Sequence, residues 1–295
     1  IACTMNAEMG REQEMTLTKT DAPKHVLIVG GGPAGLEAAR VAALRGHRVT
    51  LYEKGDTLGG QPLIASQAPG REDLDEVRRY YTYQMGLREV DVHLNTEANA
   101  ETIEKEAPDA IVIATGSRAI ASELSAADVP VVDVRTILTG ETEVQPGQSI
   151  VLQAEDHHMQ GLSAADFLAD KGCDVHVLTE ALYAGAQIET GTLQVLYERL
   201  LKKGVSITPL TTIKLIDGRT VVTENTMSKA EDSIQGVDMI VAAYGNEATD
   251  ALYREVKSGG DSSSGAPALY LIGDAVAPRR LMDAILDGAR VGRIL

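Results

Sequence analysis

Aromatic side chains are scarce in this chain of 295 residues: nine Tyr, one Phe (Phe167) and no Trp. That scarcity argues against aromatic platforms for stacked bases and against sugar-stacking clefts. Cysteine is nearly absent as well. Cys3 and Cys173 cannot build a disulfide scaffold, so a reducing compartment and a cytoplasmic location are expected. Basic charge is short, with 27 Lys and Arg against 43 Asp and Glu for a net −16. A field of that sign repels a phosphate backbone and excludes nucleic acid as a partner. No apolar run approaches the roughly 18 residues a spanning helix needs, so no membrane role is expected. What remains is a globular composition, 44% apolar and 24% charged, on a chain long enough for two domains.

The chain opens on Ile1 without an initiator Met or signal-peptide pattern and stops at Leu295 inside a helix-like stretch. A piece of a longer protein is the expectation. Residues 1–23 are polar, Met-dotted and aperiodic, and read as a linker or tail. The pattern then changes sharply. His25 to Val29 is a buried-strand run, followed at once by Gly30-Gly-Gly-Pro-Ala-Gly35. Leu36 to Arg45 has helical spacing and is closed by Gly46, and Arg48 to Tyr52 is the next strand, ending at Glu53. Such a βαβ unit implies parallel strands and an α/β doubly wound sheet.

Further along, the spacing predicts a helix over 73–89, a strand over 90–94, a short acidic helix over 101–106 and a strand over 110–116. After Gln145-Pro-Gly147 the opening pattern recurs. With Gly161-Leu162 aligned on Gly35-Leu36, Ala164-Ala165 falls on Ala38-Ala39, Gly172 on Gly46 and Val175 on Val49. Strand 149–153, helix 161–171 and strand 174–179 therefore repeat the first unit. Helix 192–203, strand 205–209, a hairpin over 213–223 turning at Asp217-Gly218, and strand 237–244 follow. Lys257 to Pro267 reads as a flexible loop, 268–274 as a strand and 281 onward as a helix. The layout expected is two Rossmann-like domains, the second inserted in the first: 24–140 with 246–295, and 145–245.

Gly30-x-Gly32-x-x-Gly35 is a weak signal alone, but here it follows a strand, opens a helix and has an acid at the end of the next strand. Gly30 permits the tight turn, Gly32 lets backbone approach a pyrophosphate, and Gly35 allows close helix–strand packing. The helix N-terminus offers unpaired amides and positive dipole. Glu53 is placed to accept from both hydroxyls of an adenosine ribose and to repel a 2′-phosphate, so an ADP moiety is expected. Two more apolar strands end in small-residue turns, Ala114-Thr-Gly116 and Ile272-Gly-Asp274, and Asp274 is placed to bond polyol hydroxyls near the diphosphate.

These residues, with Gly59-Gly-Gln61, Gln67-Ala-Pro-Gly70, and Ile272-Gly-Asp-Ala-Val-Ala-Pro-Arg279 with Asp283-Ala284, give the chain a family resemblance. It resembles the C-terminal half of flavoproteins that join an Old Yellow Enzyme-like FMN barrel to a module of the pyridine nucleotide-disulphide reductase type. That group contains trimethylamine dehydrogenase, dimethylglycine-type demethylases and 2,4-dienoyl-CoA reductase. The resemblance covers nearly the whole chain, and the last motif lies nearest the amine dehydrogenases. It implies cofactor contacts at Gly30, Gly32, Pro33, Ala34, Gly35, Glu53, Lys54, Gly60, Gln61, Ala114, Thr115, Gly116, Gly273 and Asp274. Some members hold FAD and trimethylamine dehydrogenase holds ADP; these motifs leave both open.

The second copy departs from the pattern. Asp156, His158 and Gly161 stand at the three glycine positions, and Thr179 at that of Glu53. Side chains and the Glu155-Asp156 carboxylates would meet an incoming pyrophosphate, so NAD(P)H binding of the usual kind is not expected. Cys3-Thr-Met-Asn6 with Gly10-Arg-Glu12 resembles the segment that supplies the last thiolate of a [4Fe–4S] cluster. Such a cluster takes four cysteines, so the remaining three would precede Ile1.

The resemblance therefore implies the electron-transfer portion of an FMN and [4Fe–4S] oxidoreductase that demethylates an N-methylated amine. It also implies an upstream FMN-binding barrel region or subunit, an electron-transfer flavoprotein as acceptor, and a homo-oligomer. No residue qualifies as a general base or nucleophile. Two alternatives stay open: an NAD(P)H-dependent enoate or 2,4-dienoyl-CoA reductase, and a structural ADP-binding module. Other features take plain readings. His157-His158 is a loop pair without a third ligand, Cys173 lacks a CxxC partner, and Tyr80-Tyr81-x-Tyr83 packs a helix. Arg279-Arg280 either neutralises phosphate or faces solvent.

Overall fold

Runs of Val, Ile and Leu without polar alternation occupy the middle of two sheets, because a strand covered on both faces has no solvent side to fill. The computed structural model describes residues 3–259 and 266–295. Residues 260–265 of the expected 257–267 loop, with Ile1 and Ala2, lie outside the described residues.

Through residue 118 the order is β1 (His25–Val29), α1 (Pro33–Arg45), β2 (Arg48–Tyr52), α2 (Gln61–Ala65), α3 (Asp75–Leu87), β3 (Asp91–His93), α4 (Ala100–Glu106), β4 (Ala110–Ile113) and the start of β5 (Ser117–Ala119). Next come β6 (Val131–Asp133), α5 (Val134–Thr139), β7 (Ser149–Ala154), α6 (Met159–Asp170), β8 (Asp174–Leu178), α7 (Thr190–Lys202) and β9 (Ser206–Thr208). The three strands β10 (Thr211–Asp217), β11 (Thr220–Asn225) and β12 (Glu231–Ile234) lead to β13 (Met239–Ala243). The chain ends through β14 (Asn246–Ala248), α8 (Ala251–Gly259), β15 (Ala268–Leu271) and α9 (Leu281–Ile294).

Two compact units result. One gathers Ile1–Leu63, Asp73–Arg118 and Glu247–Leu295; the other gathers Ile64–Glu72 and Ala119–Asn246. The first is built on a parallel sheet of order β15-β4-β1-β2-β3. β1 is buried along its whole length, with Val26 opposite Val49 on one side and Ala110 on the other. The chain leaves β1 toward β2 and later returns to its other side as β4. The carboxyl ends of β1 and β4 thus flank a topological switch point, where such sheets open a crevice. α1 buries Ala34, Ala38, Ala39 and Ala42 and ends at Gly46 in the left-handed region, φ 97°. α9 lies so close to α1 that a Cβ on Gly288 would stand 2.2 Å from the Ala34 carbonyl oxygen.

The second unit repeats the plan with order β6-β13-β7-β8-β9 and adds the antiparallel meander β10-β11-β12. Its hairpin pairs Asp217 with Thr220, so the turn residues are Gly218-Arg219, one position beyond the expected pair. The expected boundary near 140–145 is corrected to 118/119. β6 pairs in parallel with β13, which ties residues 119–140 to the second sheet. The short segment 64–72 also groups with the second unit. The expected linker 1–23 is corrected too, because it is fastened to the first unit. Arg293 donates to Glu8 (2.6 Å) and to the Met15 carbonyl (2.9 Å), Arg45 donates to the Thr18 carbonyl, and Met15 is buried.

Candidate functional site

At the end of β1 the chain turns within two residues. Gly30 takes φ 112°, donates to the Tyr52 carbonyl (2.8 Å), and presents its α-carbon so near β4 that a Cβ would sit 2.2 Å from the Ala114 carbonyl oxygen. No residue with a side chain fits that conformation and that gap. Gly35, in the first turn of α1, backs onto Gly30; a Cβ there would be 2.0 Å from its carbonyl oxygen. Gly32, by contrast, faces open space, and a Cβ on it would meet no described atom within 4 Å. It is the N-cap of α1, Pro33 follows at the first helical position, and no side chain caps the helix. The first-turn amides after Pro33 therefore lack intrahelical partners and stand at the positive end of the dipole.

Four chain segments converge on that open helix end. Glu53, one residue past β2, spans the glycine turn: one carboxylate oxygen accepts from Gly31 N (2.6 Å), the other from Gly55 N (2.7 Å). The 59–61 segment returns over the turn, with Gly59 N donating to the Gly31 carbonyl (2.9 Å). A Cβ on Gly60 would lie 3.1 Å from the Gly32 α-carbon. The Gln61 amide nitrogen donates to Ser117 Oγ (2.7 Å) and to Asp274 Oδ2 (3.2 Å), and Ser117 Oγ donates to the same oxygen (3.2 Å). Asp274 in turn accepts from Arg279 N (3.1 Å). Beside it Gly273 donates to Asp287 (3.1 Å) and presses on α1, with a Cβ position 2.7 Å from that of Ala34.

Of the residues singled out in the sequence, thirteen of the fourteen nucleotide candidates thus line the ends of β1, β2, β4 and β15 or the turn and helix start between them. Ala114 bonds β1 through the Val29 carbonyl, while Thr115 and Gly116 are held by Thr249. Lys54 is exposed and enters none of these contacts. Ser117 and Asp287 were not singled out as site residues, although Ser117 directly follows the Ala114-Thr-Gly116 turn. Arg279 pairs with Asp287 and donates its backbone N–H to Asp274, so it braces the turn that carries that acid. Tyr81 is buried and bonds Glu37 (3.2 Å), and burial pushes its phenol well above the ordinary range. Cys3 is half-buried. Among the described residues no group of three or more His, Cys, Asp or Glu is placed to hold a metal, so they do not by themselves make an iron–sulfur site.

The second unit has the same strand–turn–helix arrangement with the opposite outcome. The Asp156 carboxylate folds back onto the N-terminus of α6 and accepts three backbone amides: His158 N (3.2 Å) and Gln160 N (2.9 Å) on one oxygen, Gly161 N (3.1 Å) on the other. Burial raises its pKa, while those amides and His158 pull the other way. Glu155 reaches across to the end of β8, where it accepts from Glu180 N (2.9 Å), and it also pairs with the Gln153 amide. Burial raises Glu155 as well. The geometry of the first unit is thus inverted. There an acid at the end of the second strand holds a loop amide; here an acid in the loop holds a strand-end amide, and buried Thr179 stands where Glu53 would.

Comparison with known proteins agrees with this arrangement. The pyridine nucleotide-disulphide oxidoreductase family matches residues 24–288. An N,N-dimethylglycine/sarcosine dehydrogenase of Chromohalobacter salexigens is 32% identical across 99% of this chain and is covered over 47% of its own length. The solved 2-naphthoyl-CoA reductase complex superposes with a TM-score of 0.88 at 32% identity, over 100% of this chain and 43% of that one. Histamine dehydrogenase from Rhizobium sp. 4-9 gives 0.90 at 26% identity, over 99% and 48%. The chain spans a little under half the length of each, and the resemblance seen in its motifs is borne out.

Proposed function

The chain belongs to the pyridine nucleotide-disulphide oxidoreductase family, and from that premise we propose that it is the nucleotide-holding, electron-transfer portion of a flavin oxidoreductase. Its first unit takes the ADP part of FAD, or ADP itself, and its second unit takes no NAD(P)H. The whole protein, on this reading, oxidatively demethylates an N-methylated amine and passes electrons to an electron-transfer flavoprotein. The relationship to a dimethylglycine/sarcosine dehydrogenase supports that substrate class.

One observation carries the reading. Of two sibling helix N-termini, that of α1 is uncapped and open at Gly32, and that of α6 is filled by the Asp156 carboxylate. The residues present fit an ADP moiety. First-turn amides of α1 receive the diphosphate. Glu53 keeps lone pairs for the two ribose hydroxyls while its charge disfavours a 2′-phosphate. Asp274, oriented by Gln61, Ser117 and Arg279, receives hydroxyls of the adjoining polyol. FAD, when bound, supplies an electron carrier that exchanges one or two electrons. Among the described residues no group of three or more His, Cys, Asp or Glu is placed to hold an iron–sulfur cluster, so that group enters no role of these side chains.

The relationship to 2-naphthoyl-CoA reductase favours a second reading, a nicotinamide-fed enoate-type reductase. Extraction of the purified protein followed by mass spectrometry, and titration with NADH, separate the readings. A yellow extract with the mass of FAD, and no NADH binding, is expected. A colourless ADP extract without electron transfer leaves the structural module, and NADH that reduces the bound flavin at catalytic rates overturns the blocked second unit.

A further inference from the structure

A cleft of about 500 Å³ lies within the second unit, between the starts of α6 and α7 and the 64–72 segment. Met159, Val195 and Leu196 give it an apolar wall, and Arg71, Glu189 and Arg199 bring charge to it. These charges are not equally answered. Arg199 is paired with buried Asp166 and also donates to the Pro69 carbonyl (3.2 Å). Glu189 caps α7, accepting Gly191 N and Thr192 N (both 2.9 Å) and the Thr192 hydroxyl (3.3 Å). Those amides hold its carboxyl below the usual range, so its charge is spent on the helix end. Glu72, the nearest acid in sequence, accepts from Gly70 N (3.0 Å).

Arg71 is different. Its guanidinium is half-buried, its side chain makes one hydrogen bond, Nη1 to Ser163 Oγ (3.3 Å), and it forms no ion pair among the described residues. Desolvation alone moves its pKa, and downward. A guanidinium carries five donors in a planar fork, and proteins rarely withdraw such a charge from water without an anion to meet it. The remaining donors of Arg71 are not sealed in the interior, and the residue lines the cleft.

We infer that this cleft is a binding site for a small organic carboxylate with a short branched aliphatic body. Arg71 takes the carboxylate through two parallel N–H donors, and Val195, Leu196 and Met159 take the hydrocarbon. The volume lies within the range of ordinary ligand pockets, and the apolar wall beside a single unanswered cation selects an amphiphilic monoanion over a bare inorganic one. This site is independent of the nucleotide crevice and of the proposed demethylation.

Isothermal titration calorimetry with the purified chain tests it, using isovalerate as the probe, isovaleramide as the uncharged isostere and inorganic phosphate as the anion without a hydrocarbon. Isovalerate is expected to bind at about 1 mM, the range open to a ligand of that size, and the other two at least roughly tenfold more weakly. Arg71→Gln should weaken isovalerate about tenfold, and Val195→Glu, at a position 64% exposed and so harmless to the core, should do the same. Isovalerate heat that is absent, or unchanged in both variants, overturns the site. Phosphate binding as tightly as isovalerate overturns the organic carboxylate.

Discussion

Replacing Asp156 with glycine should open the second nucleotide turn. In the native chain its carboxylate holds three amides at the start of α6, so a diphosphate would lose those donors and meet a like charge. Two unit charges about 4 Å apart near a protein surface repel by about 4 kcal/mol, taking an effective dielectric near 20, close to a thousandfold in affinity. Removing the carboxylate lifts that term and frees the Gln160 and Gly161 amides. His158 remains at the position of Gly32, and no acid replaces Glu53, so a part of the gain is withheld. NADH affinity should rise by at least about a hundredfold, read as enhanced NADH fluorescence on titration. The lost cap costs about 1 kcal/mol, a drop of a few degrees in Tm. Unchanged NADH affinity in a folded Asp156→Gly protein would refute the reasoning, as would native protein that already binds NADH at roughly micromolar concentration.

The same acid predicts a pH effect. Its folded-state pKa is raised by burial, so its favourable contribution is fully present below the unfolded value, about 3.9, and is lost as pH rises through the folded one. The Tm of Asp156→Asn relative to the native chain should therefore climb as pH rises from about 3 to 7, and a flat difference contradicts the burial argument. At the first site, Glu53→Gln should weaken ADP about tenfold and narrow its preference over 2′-phospho-ADP, measured by competition calorimetry. Gly35→Ala, whose Cβ would stand 2.0 Å from the Gly30 carbonyl oxygen, should destabilise the chain by about 2 kcal/mol and loosen ADP; a melt matching the native one would mean that the turn relaxes freely.

Much of the architecture was legible because its strands are buried on both faces and its glycines sit at turns. β4 and β13 are apolar throughout and β1 and β7 nearly so, and each was expected within a few residues. β6, α5, β12 and α8 were not expected. α8 carries a hydrophobic period in Leu252, Tyr253 and Val256 that runs straight into the expected loop and was passed over, whereas β6 is three residues long and only half-buried, so it leaves no strong one. The domain boundary was misplaced for the same reason: pairing of Val131 with Ile240 is a long-range fact with no local mark. Among site residues, the glycine turn, Glu53 and Asp274 carried their own spacing, whereas Ser117 acquires its role only through partners far along the chain and Asp287 only once the turn before α9 folds back on it.

Sequence alone established the two crossover units, the bare glycines of the first turn and the acidic side chains of the second, since each is written in neighbouring residues. It also gave the expectation that the second turn disfavours phosphate. Only the folded chain shows how: Asp156 turns inward and serves as the anion of its own helix. Only folding, too, brings Gln61, Ser117 and Asp274 together and leaves Arg71 lining a cleft with no ion pair of its own among the described residues. Those outcomes depend on how distant segments fill and desolvate a common space, and periodicity along a chain does not record which side chains share it.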